Sequence, residues 1–217
     1  MADDSSNQRA ALETIPEGLT TGQRFVKRSF DLLGASLGLL LAGWLIAVGY
    51  LLAAFASRAN GFFVQARVGR GGRLFPLLKL RTMRDVPGFT TSVTTARDPR
   101  ITPMGRWLRR TKMDELPQLI NVLLGQMSFV GPRPDVPGFA DRLEGEDRVV
   151  LSLRPGITGP ATLAFRREEE LLAAQDDPER FNREVIWPEK VRLNRAYVEQ
   201  WSLRGDVVYL WETLVGD

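Results

Sequence analysis

The sequence lacks histidine and cysteine altogether. Its 217 residues contain no His and no Cys, which excludes imidazole acid–base catalysis, thiolate nucleophiles, disulfides and nearly every zinc site. If the protein is an enzyme, its chemistry must use carboxylates, Lys, Arg, hydroxyl groups or a hard metal ion. A chain without disulfides is also compatible with a reducing compartment.

Charge of either sign is missing from one long segment near the N-terminus. No charged residue lies between Asp31 and Arg58, and the apolar run from Leu32 to Ser57 is 26 residues long. A straight helix of that length extends about 39 Å, more than the ~30 Å hydrocarbon core of a bilayer. Residues 1–21, which precede this region, are largely polar and are expected to be disordered.

The residues that flank the apolar run bear on its membrane topology. Lys27 and Arg28 precede it and Arg58 follows it, so the positive-inside tendency draws both ends to the cytoplasm. A segment that enters and leaves on one side needs a break, for which Ala42 and Gly43 are the candidates. Glycine costs only about 1 kcal/mol relative to alanine in a helix, so composition alone favours a plain spanning helix over a re-entrant one.

Positive charge is concentrated in the middle of the chain. Residues 67–112 contain twelve Lys or Arg and two acids, whereas residues 135–217 contain seventeen acids and eleven bases. A cationic segment suits a nucleotide diphosphate, a lipid phosphate or an anionic membrane surface, although a solvated surface of mixed sign fits the same counts. The pI of about 9.6 suggests nucleic acid, but the apolar run has no place in such a protein.

Local patterns predict one hairpin and several helices. Residues 62–83 combine β-branched and aromatic residues around a Gly-rich turn, which indicates a β-hairpin. The predicted helices cover residues 103–112, 114–125, 166–175 and 188–200, and a C-terminal helix is capped by Asp206.

Two adjacent carboxylates, Asp114 and Glu115, lie at the start of a predicted helix. In a purely structural role, Asp114 is an N-cap and Glu115 is a first-turn acid favoured by the helix dipole. In a functional role, the same position keeps a carboxylate ionised where backbone N–H groups face an incoming phosphate. The two roles are compatible.

Two arginines lie in rigid turns. Arg133 is held between Pro132 and Pro134, so it loses less freedom when its planar fork binds phosphate oxygens. Arg154 opens a second turn of Pro and Gly residues, 154–160. An exposed turn arginine is the alternative role for each.

Four stretches, taken in order, resemble the bacterial sugar transferases of the monotopic phosphoglycosyl transferase superfamily. They are KRSFDLLGASLGLLLAG, FVQARVGRGGRLFPLLKLRTM, TKMDELPQLINVLLGQMSFVGPRP and RPGITGPATL. The resemblance, from about Arg24 to Leu214, implies a minimal catalytic unit that moves a sugar-1-phosphate from a UDP-sugar to undecaprenyl phosphate. This reaction would occur at the cytoplasmic face of the bacterial inner membrane, among its lipids, and would begin surface glycan assembly.

The resemblance also implies roles for particular residues. Asp114 would attack the sugar-bearing phosphorus and expel UMP, while Glu115 would help deprotonate the acceptor phosphate or position a metal. The implied cofactor is Mg²⁺, with Asp114, Glu115 and the weaker candidate Asp206 as ligands. The implied phosphate-binding residues are Lys79, Arg81, Arg133 and Arg154.

The chain departs from the family pattern at two places. Ala42-Gly43 replaces a common Ser-Pro in the apolar segment, and Gly159-Pro160-Ala161 replaces a frequent Gly-Trp-Ala. The cationic flanks and the resemblance together nevertheless favour re-entry.

The expected fold is α+β. It is a mostly helical membrane-associated domain with a re-entrant N-terminal membrane helix and a small β-hairpin. The expected parts are a polar tail (1–21), a helix with the membrane segment (22–58) and a catalytic domain with membrane-interface helices (59–217). A homo-oligomer is left open. The rival function is a non-catalytic membrane-anchored scaffold that binds anionic lipid.

Overall fold

The computed structural model describes residues 15–84 and 98–216. Most of the predicted polar tail and most of the predicted loop between Arg84 and Arg100 lie outside the described residues. The described chain combines one long helix, a hairpin, a second small sheet and a set of shorter helices. The predicted mixture of helix and strand is therefore confirmed.

Helix α1, Thr21–Ser57, contains the whole apolar run. Thr20 caps its start, since its side chain accepts a hydrogen bond from the Gln23 backbone N–H and its own N–H donates to the Gln23 side chain. The helix ends at Arg58, which adopts the left-handed conformation with φ 58°. Among the described residues, α1 is the one helix long and apolar enough to cross a membrane.

The helix does not show the break predicted at Ala42 and Gly43. Both residues lie inside the continuous helix. Alanine is the best helix former, an interior glycine costs only about 1 kcal/mol, and the helix contains no proline. The sequence therefore contains nothing strong enough to interrupt it.

Helix α1 has two contrasting long faces. One stripe packs against the rest of the protein, and its buried members are Lys27, Asp31, Ala35, Ile46, Gly49, Ala53 and Ser57. Exposed apolar side chains elsewhere on the helix include Leu33, Leu37, Leu40, Trp44, Val48, Leu51 and Phe55. Because the buried stripe runs from near one end to the other, α1 lies along the body of the protein and turns an apolar face outward.

The predicted hairpin is confirmed. Strand β1, Phe62–Val68, pairs antiparallel with β2, Leu74–Leu80, from Phe62↔Leu80 to Val68↔Leu74. The connection is a short turn at Arg70–Gly72 in which Gly71 and Gly72 have φ of 74° and 73°. Only residues without a Cβ adopt this left-handed conformation readily, which explains the Gly-Gly pair.

A second sheet was not predicted. Strands β3, Ser128–Val130, and β4, Gly156–Thr158, pair in parallel, with Ser128 opposite Gly156 and Val130 opposite Thr158. Each strand has three residues, too few to show a two-residue periodicity. A Cβ on Gly156 would lie 2.2 Å from the Gly131 backbone N, so this close pairing requires glycine.

The shorter helices follow most of the predicted segments. They are α2 (Pro103–Arg110), α3 (Gln118–Leu123), α4 (Pro160–Ala164), α5 (Glu168–Ala173), α6 (Pro178–Phe181), α7 (Trp187–Glu199) and α8 (Leu203–Val215). Single-turn and irregular helical segments cover Met113–Glu115, Ala140–Arg142, Gly145–Ser152 and Asn182–Ile186.

Two predicted helix caps are wrong. Asp114 lies in the single turn Met113–Glu115 before α3, and no side chain caps that turn or α3. Asp206 lies within the first turn of α8, which is capped instead by the Ser202 side chain. The sequence pattern placed both acids near helix starts, but tertiary packing directs both side chains into the interior.

Buried clusters join these elements around α1. One cluster packs Ala35 of α1 against Phe75 and Leu77 of β2 and Val122 of α3. Another joins α1 to β2 and α2 through Ala53, Leu80 and Leu108. These buried contacts hold the Met113–Glu115 turn between α2 and α3, next to the end of β2.

Candidate active site

The candidate site is built on the turn that carries the two carboxylates. Helix α2 ends at Arg110, and Lys112 then adopts a left-handed conformation with φ 56°. This reversal directs the Met113–Glu115 turn back toward β2. Asp114 is 8% exposed, so the first carboxylate is largely shielded from bulk water.

Glu115 brings together three elements that are distant in sequence. The Lys79 Nζ from β2 lies 3.1 Å from Glu115 Oε1, and an Arg133 guanidinium nitrogen lies 2.6 Å from the same oxygen. Burial alone would raise the pKa of Glu115, but Arg133 and Lys79 outweigh it and hold that pKa well below its usual range. Glu115 is therefore an anion that fixes two cations in place.

Asp114 has a different environment. Its Oδ1 is buried and has no hydrogen-bond partner within the described residues. Burial, and then the neighbouring negative charge of Glu115, raise the pKa of Asp114 to about 6, against the opposing effect of Lys79. At neutral pH the group is mostly ionised, and one oxygen is left free to bind a metal ion or attack an electrophile.

The electrostatics of the two cations are coupled to Glu115. Burial lowers the pKa of Lys79, while Glu115 opposes that shift. Glu115 raises the pKa of Arg133, which keeps the guanidinium charged. Both side chains can therefore present positive charge to a phosphate beside Asp114.

Sequence patterns alone did not identify Arg67 and Val68 of β1, which support the turn that carries Arg133. Arg67 of β1 donates to the Pro134 carbonyl at 3.1 Å, and the Val68 N–H donates to the Asp135 carbonyl at 2.9 Å. These bonds fasten the turn that carries Arg133 to the hairpin. No local signal identifies these residues, because their partners are about 67 positions apart in the chain.

The same turn carries a buried acid. Burial raises the pKa of the Asp135 carboxyl to about 6, against the opposing effect of Lys190 and Arg67.

The other two predicted phosphate-binding arginines have different surroundings. The Arg81 Nε donates to the Asn60 carbonyl at 2.8 Å, and its guanidinium lies 5.7 Å from the Phe63 ring centre. The Arg154 Nε donates to the Gly125 carbonyl at 2.7 Å. Burial, followed by Arg28 and Arg70, lowers the pKa of Arg154. This side chain lines a pocket with Arg70, and neither the dyad nor its two cations line that pocket.

Asp206 is not brought together with the dyad. It is fully buried, and its oxygens accept hydrogen bonds from Lys27 Nζ (2.6 Å), the Tyr197 hydroxyl (2.7 Å) and Trp201 Nε1 (3.1 Å). The described residues contain no group of three or more carboxylates that could hold a metal ion. Asp206 instead joins α8 to α1, because its charge is neutralised by Lys27.

The dyad itself fits a hard divalent cation bound together with a ligand. Asp114 offers an unpartnered buried oxygen, and both cations contact the same oxygen of Glu115. Mg²⁺ is commonly bound through one or two carboxylates together with substrate phosphates and water. Two carboxylates are thus enough for a site completed by a diphosphate.

Comparisons with known proteins agree on one family. The family model described as bacterial sugar transferase matches residues 22–216. The exopolysaccharide production protein ExoY of Rhizobium meliloti is 31% identical, over 87% of this chain and 83% of ExoY. The UDP-galactose-lipid carrier transferase of Erwinia amylovora is 33% identical, over 88% of this chain and 40% of that protein.

A further relative is the undecaprenyl-phosphate glucose phosphotransferase of Komagataeibacter xylinus. It is 38% identical, over 87% of this chain and 35% of that protein. The chain therefore spans most of the length of ExoY, but less than half of the length of the other two relatives.

Proposed function

The chain belongs to the bacterial sugar transferase family, and we propose that it transfers a sugar-1-phosphate from a UDP-sugar to undecaprenyl phosphate. The products are undecaprenyl-diphosphate-sugar and UMP. One relative is named for a UDP-sugar donor and another for undecaprenyl phosphate. The reaction would be the first membrane step of surface glycan assembly.

One observation carries this proposal. Asp114 is buried, and one of its carboxylate oxygens has no hydrogen-bond partner in the described part of the chain. It lies directly beside a glutamate that holds Lys79 and Arg133. A nucleophile that must approach a diphosphate needs nearby positive charge, because two anions otherwise repel each other. Lys79 and Arg133 supply that charge. Both form their salt bridges with Glu115, which leaves the Asp114 oxygen available to react.

The proposed reaction has two displacement steps at the same phosphorus atom. The Asp114 carboxylate forms a bond to the phosphorus that carries the sugar, and the bond from that phosphorus to the bridging oxygen breaks to release UMP. A phosphate oxygen of the lipid acceptor then forms a bond to the same phosphorus. The acyl phosphate bond breaks, and the Asp114 carboxylate is regenerated.

Glu115 acts as a positioning residue in this scheme. Its low pKa makes it a weak base at neutral pH, whereas its contacts place Lys79 and Arg133 on a common centre. The two cations would stabilise the negative charge that develops on the phosphate oxygens. The geometry thus supports positioning over proton abstraction for the second carboxylate.

Mg²⁺ is the proposed cofactor. Asp114 and the second oxygen of Glu115 would hold it, and the bound ion would supply charge neutralisation to the diphosphate. Asp206 does not belong to this ligand set, since its oxygens bind Lys27, Tyr197 and Trp201.

The proposed location is the cytoplasmic face of the bacterial inner membrane. The apolar helix α1 is consistent with membrane association. The protein body packs on α1 near both ends, at Lys27 and at Ala53, which favours a chain embedded from one side over a spanning helix. This placement supports monotopic insertion, with a lipid phosphate within reach of the site.

A panel of UDP-sugars, each incubated with purified protein and Mg²⁺, tests the function. With undecaprenyl phosphate present, we expect catalytic UMP release from at least one sugar, and chelation by EDTA should abolish it. Without acceptor, intact-protein mass spectrometry should detect one added sugar phosphate. Asp114→Asn should lose both signals, because an amide is not a competent nucleophile.

The matched control is Asp176→Asn, which removes an exposed carboxylate that none of the described contacts joins to the dyad. It should behave like the unmodified protein. Turnover that survives in Asp114→Asn would refute the covalent role. Absence of UMP from every sugar would instead favour the scaffold that binds anionic lipid.

A further inference from the structure

Two arginines from separate elements, Arg28 and Arg154, meet beside Gly125. Arg28 of α1 donates to the Val122 and Leu123 carbonyls at 2.7 and 2.9 Å, and the Arg154 Nε donates to the Gly125 carbonyl at 2.7 Å. A Cβ on Gly125 would lie 3.3 Å from an Arg28 guanidinium nitrogen and 3.9 Å from Arg154 Nε. Both guanidinium groups therefore face the same small space.

Arg70 completes this cluster from the hairpin turn. It lines one pocket together with Arg154, Asp31 and Ser152, and its charge acts on Arg154. Arg70 is exposed, and none of the described carboxylates forms a salt bridge with it. Arg70 and Arg154 thus line one pocket, and Arg28 meets Arg154 beside Gly125.

One acid lines this pocket, against the four cations Arg24, Lys27, Arg70 and Arg154. Its acid, Asp31, is already engaged, because its Oδ1 accepts hydrogen bonds from the Ser128 hydroxyl and the Phe129 N–H. The other pocket cations are also committed: Lys27 pairs with Asp206, and Arg24 donates to the Leu19 carbonyl.

A hydroxyl in the same pocket also needs a partner. The Ser152 Oγ is buried and has no hydrogen-bond partner within residues 15–84 and 98–216. An anion with several oxygens would accept bonds from Ser152 and from guanidinium N–H groups of Arg70 and Arg154 at once. Phosphate has the charge and the number of oxygens that this pocket requires.

The surroundings point to a phosphate attached to a lipid. Leu124, adjacent to Gly125, is 67% exposed, and Leu33, just beyond Arg28 on α1, is 74% exposed. The cluster therefore lies where the apolar surface of the protein meets its cationic surface. This is the arrangement expected at the boundary between acyl chains and headgroups.

We propose that Arg70 and Arg154, with Arg28 adjacent to Arg154, form a second phosphate site, separate from the Asp114–Glu115 dyad, which binds the headgroup phosphate of an anionic membrane phospholipid. Occupation of the site would fix the depth and orientation of the protein at the membrane surface. The proposal does not depend on the proposed reaction, because lipid binding is measured without any substrate.

The test measures binding of short-chain lipids to the full chain in detergent by thermal shift and native mass spectrometry. The probes are dioctanoyl phosphatidylglycerol, dioctanoyl phosphatidylcholine and inorganic phosphate. Phosphatidylglycerol should bind most tightly and raise the Tm. Arg70→Gln and Arg154→Gln should each weaken that binding roughly tenfold, as expected for loss of a charge-assisted hydrogen bond.

Arg73→Gln is the matched control, since it removes the same charge from an exposed neighbour in the same turn. It should retain the affinity of the unmodified protein. Arg70 is exposed, so Arg70→Gln should fold normally, which its lipid-free Tm verifies. Equal binding by Arg70→Gln and Arg73→Gln would overturn the proposal.

Two further outcomes decide the source of the phosphate. Inorganic phosphate that binds as tightly as phosphatidylglycerol would overturn the lipid assignment. Loss of UMP release by Arg70→Gln, assayed with undecaprenyl phosphate but without phospholipid, would assign the cluster to the reaction instead, and would also overturn the proposal.

Discussion

At the scale of single residues, Asp114 and Glu115 are neighbours whose surroundings shift their pKa values in opposite directions. Lys79 and Arg133 both contact Glu115 and keep it ionised. Asp114 is buried without a salt bridge among the described residues, and the charge of Glu115 adds to the effect of burial. A pair of acids with separated pKa values is a common feature of catalytic sites.

The raised pKa of Asp114 predicts an acidic limb in the pH profile of donor turnover. The group must be ionised to attack, and its pKa is about 6. We therefore expect kcat/KM for UMP release to be level above about pH 6 and to fall roughly tenfold per pH unit below it. Initial rates measured at low donor concentration between pH 4.5 and 8.5 check this expectation.

Glu115→Gln provides a sharper version of the test. Removing the negative charge beside Asp114 should lower the Asp114 pKa and move the acidic limb to lower pH, even if the maximum rate falls. Glu184→Gln, an exposed acid paired with Arg180, serves as the control and should leave the limb in place. An acidic limb that moves to higher pH in Glu115→Gln would contradict the assignment of this limb to Asp114.

At the scale of elements, the position of the dyad depends on how α2 packs against the end of β2. A Cβ on Gly105 would lie 2.0 Å from the Thr82 backbone oxygen, a distance no real Cβ adopts. Helix α2 can approach this segment only because residue 105 is glycine. The carboxylate turn begins three residues after α2 ends, so its position follows that of the helix.

Gly105→Ala should therefore destabilise the protein and reduce activity together. Overpacking against rigid backbone costs about 1–3 kcal/mol, and the shift of α2 should displace Asp114. Gly43→Ala is the matched control, because a Cβ there meets nothing within 4 Å. The urea midpoints of unfolding of the two variants, measured in the same detergent, check this expectation. Equal midpoints would disprove the packing argument.

At the scale of the whole molecule, a buried ion pair fastens the first described helix to the last. Lys27 of α1 and Asp206 of α8 are separated by 2.6 Å and are 7% and 0% exposed in their side chains. Tyr197 and Trp201 complete the hydrogen bonds of the carboxylate. This network gives Asp206 a structural role that its position in the sequence does not reveal.

Lys27→Met should destabilise the fold by about 3–5 kcal/mol, because it leaves a buried carboxylate without its counter-charge. The double variant Lys27→Met/Asp206→Asn should recover much of that loss, since the remaining donors can bind an amide oxygen. Arg192→Gln, which breaks an exposed pair with Glu189, should have little effect. Comparable unfolding free energies for Lys27→Met and Arg192→Gln would refute the role of the pair.

Membrane topology is also a property of the whole molecule. The chain contains no cysteine, so Ser5→Cys and Asp176→Cys each introduce a unique label, the first of them before the described residues. Insertion from the cytoplasmic side predicts that a membrane-impermeant maleimide reaches neither one in intact spheroplasts. Labelling of Ser5→Cys alone would establish a spanning helix.

The sequence by itself determined the classes of chemistry open to this protein and its local elements. The absence of His and Cys, the long apolar run, the hairpin at its Gly-Gly turn and the adjacent acids Asp114 and Glu115 can all be identified from composition and short patterns. These features are local, so nearby residues are enough to specify them. The order of the motifs then predicted the family, which the comparisons confirm.

Only the tertiary structure decided which charged groups meet. Glu115 contacts Lys79 and Arg133, which lie 36 and 18 positions away. Arg154 donates to the Gly125 carbonyl, 29 positions away, and Asp206 binds Lys27, 179 positions distant. The parallel pairing of β3 with β4 and the outward apolar face of α1 were equally absent from local patterns. Such contacts depend on how buried surfaces fit together across the chain, and periodicity and spacing do not specify that fit.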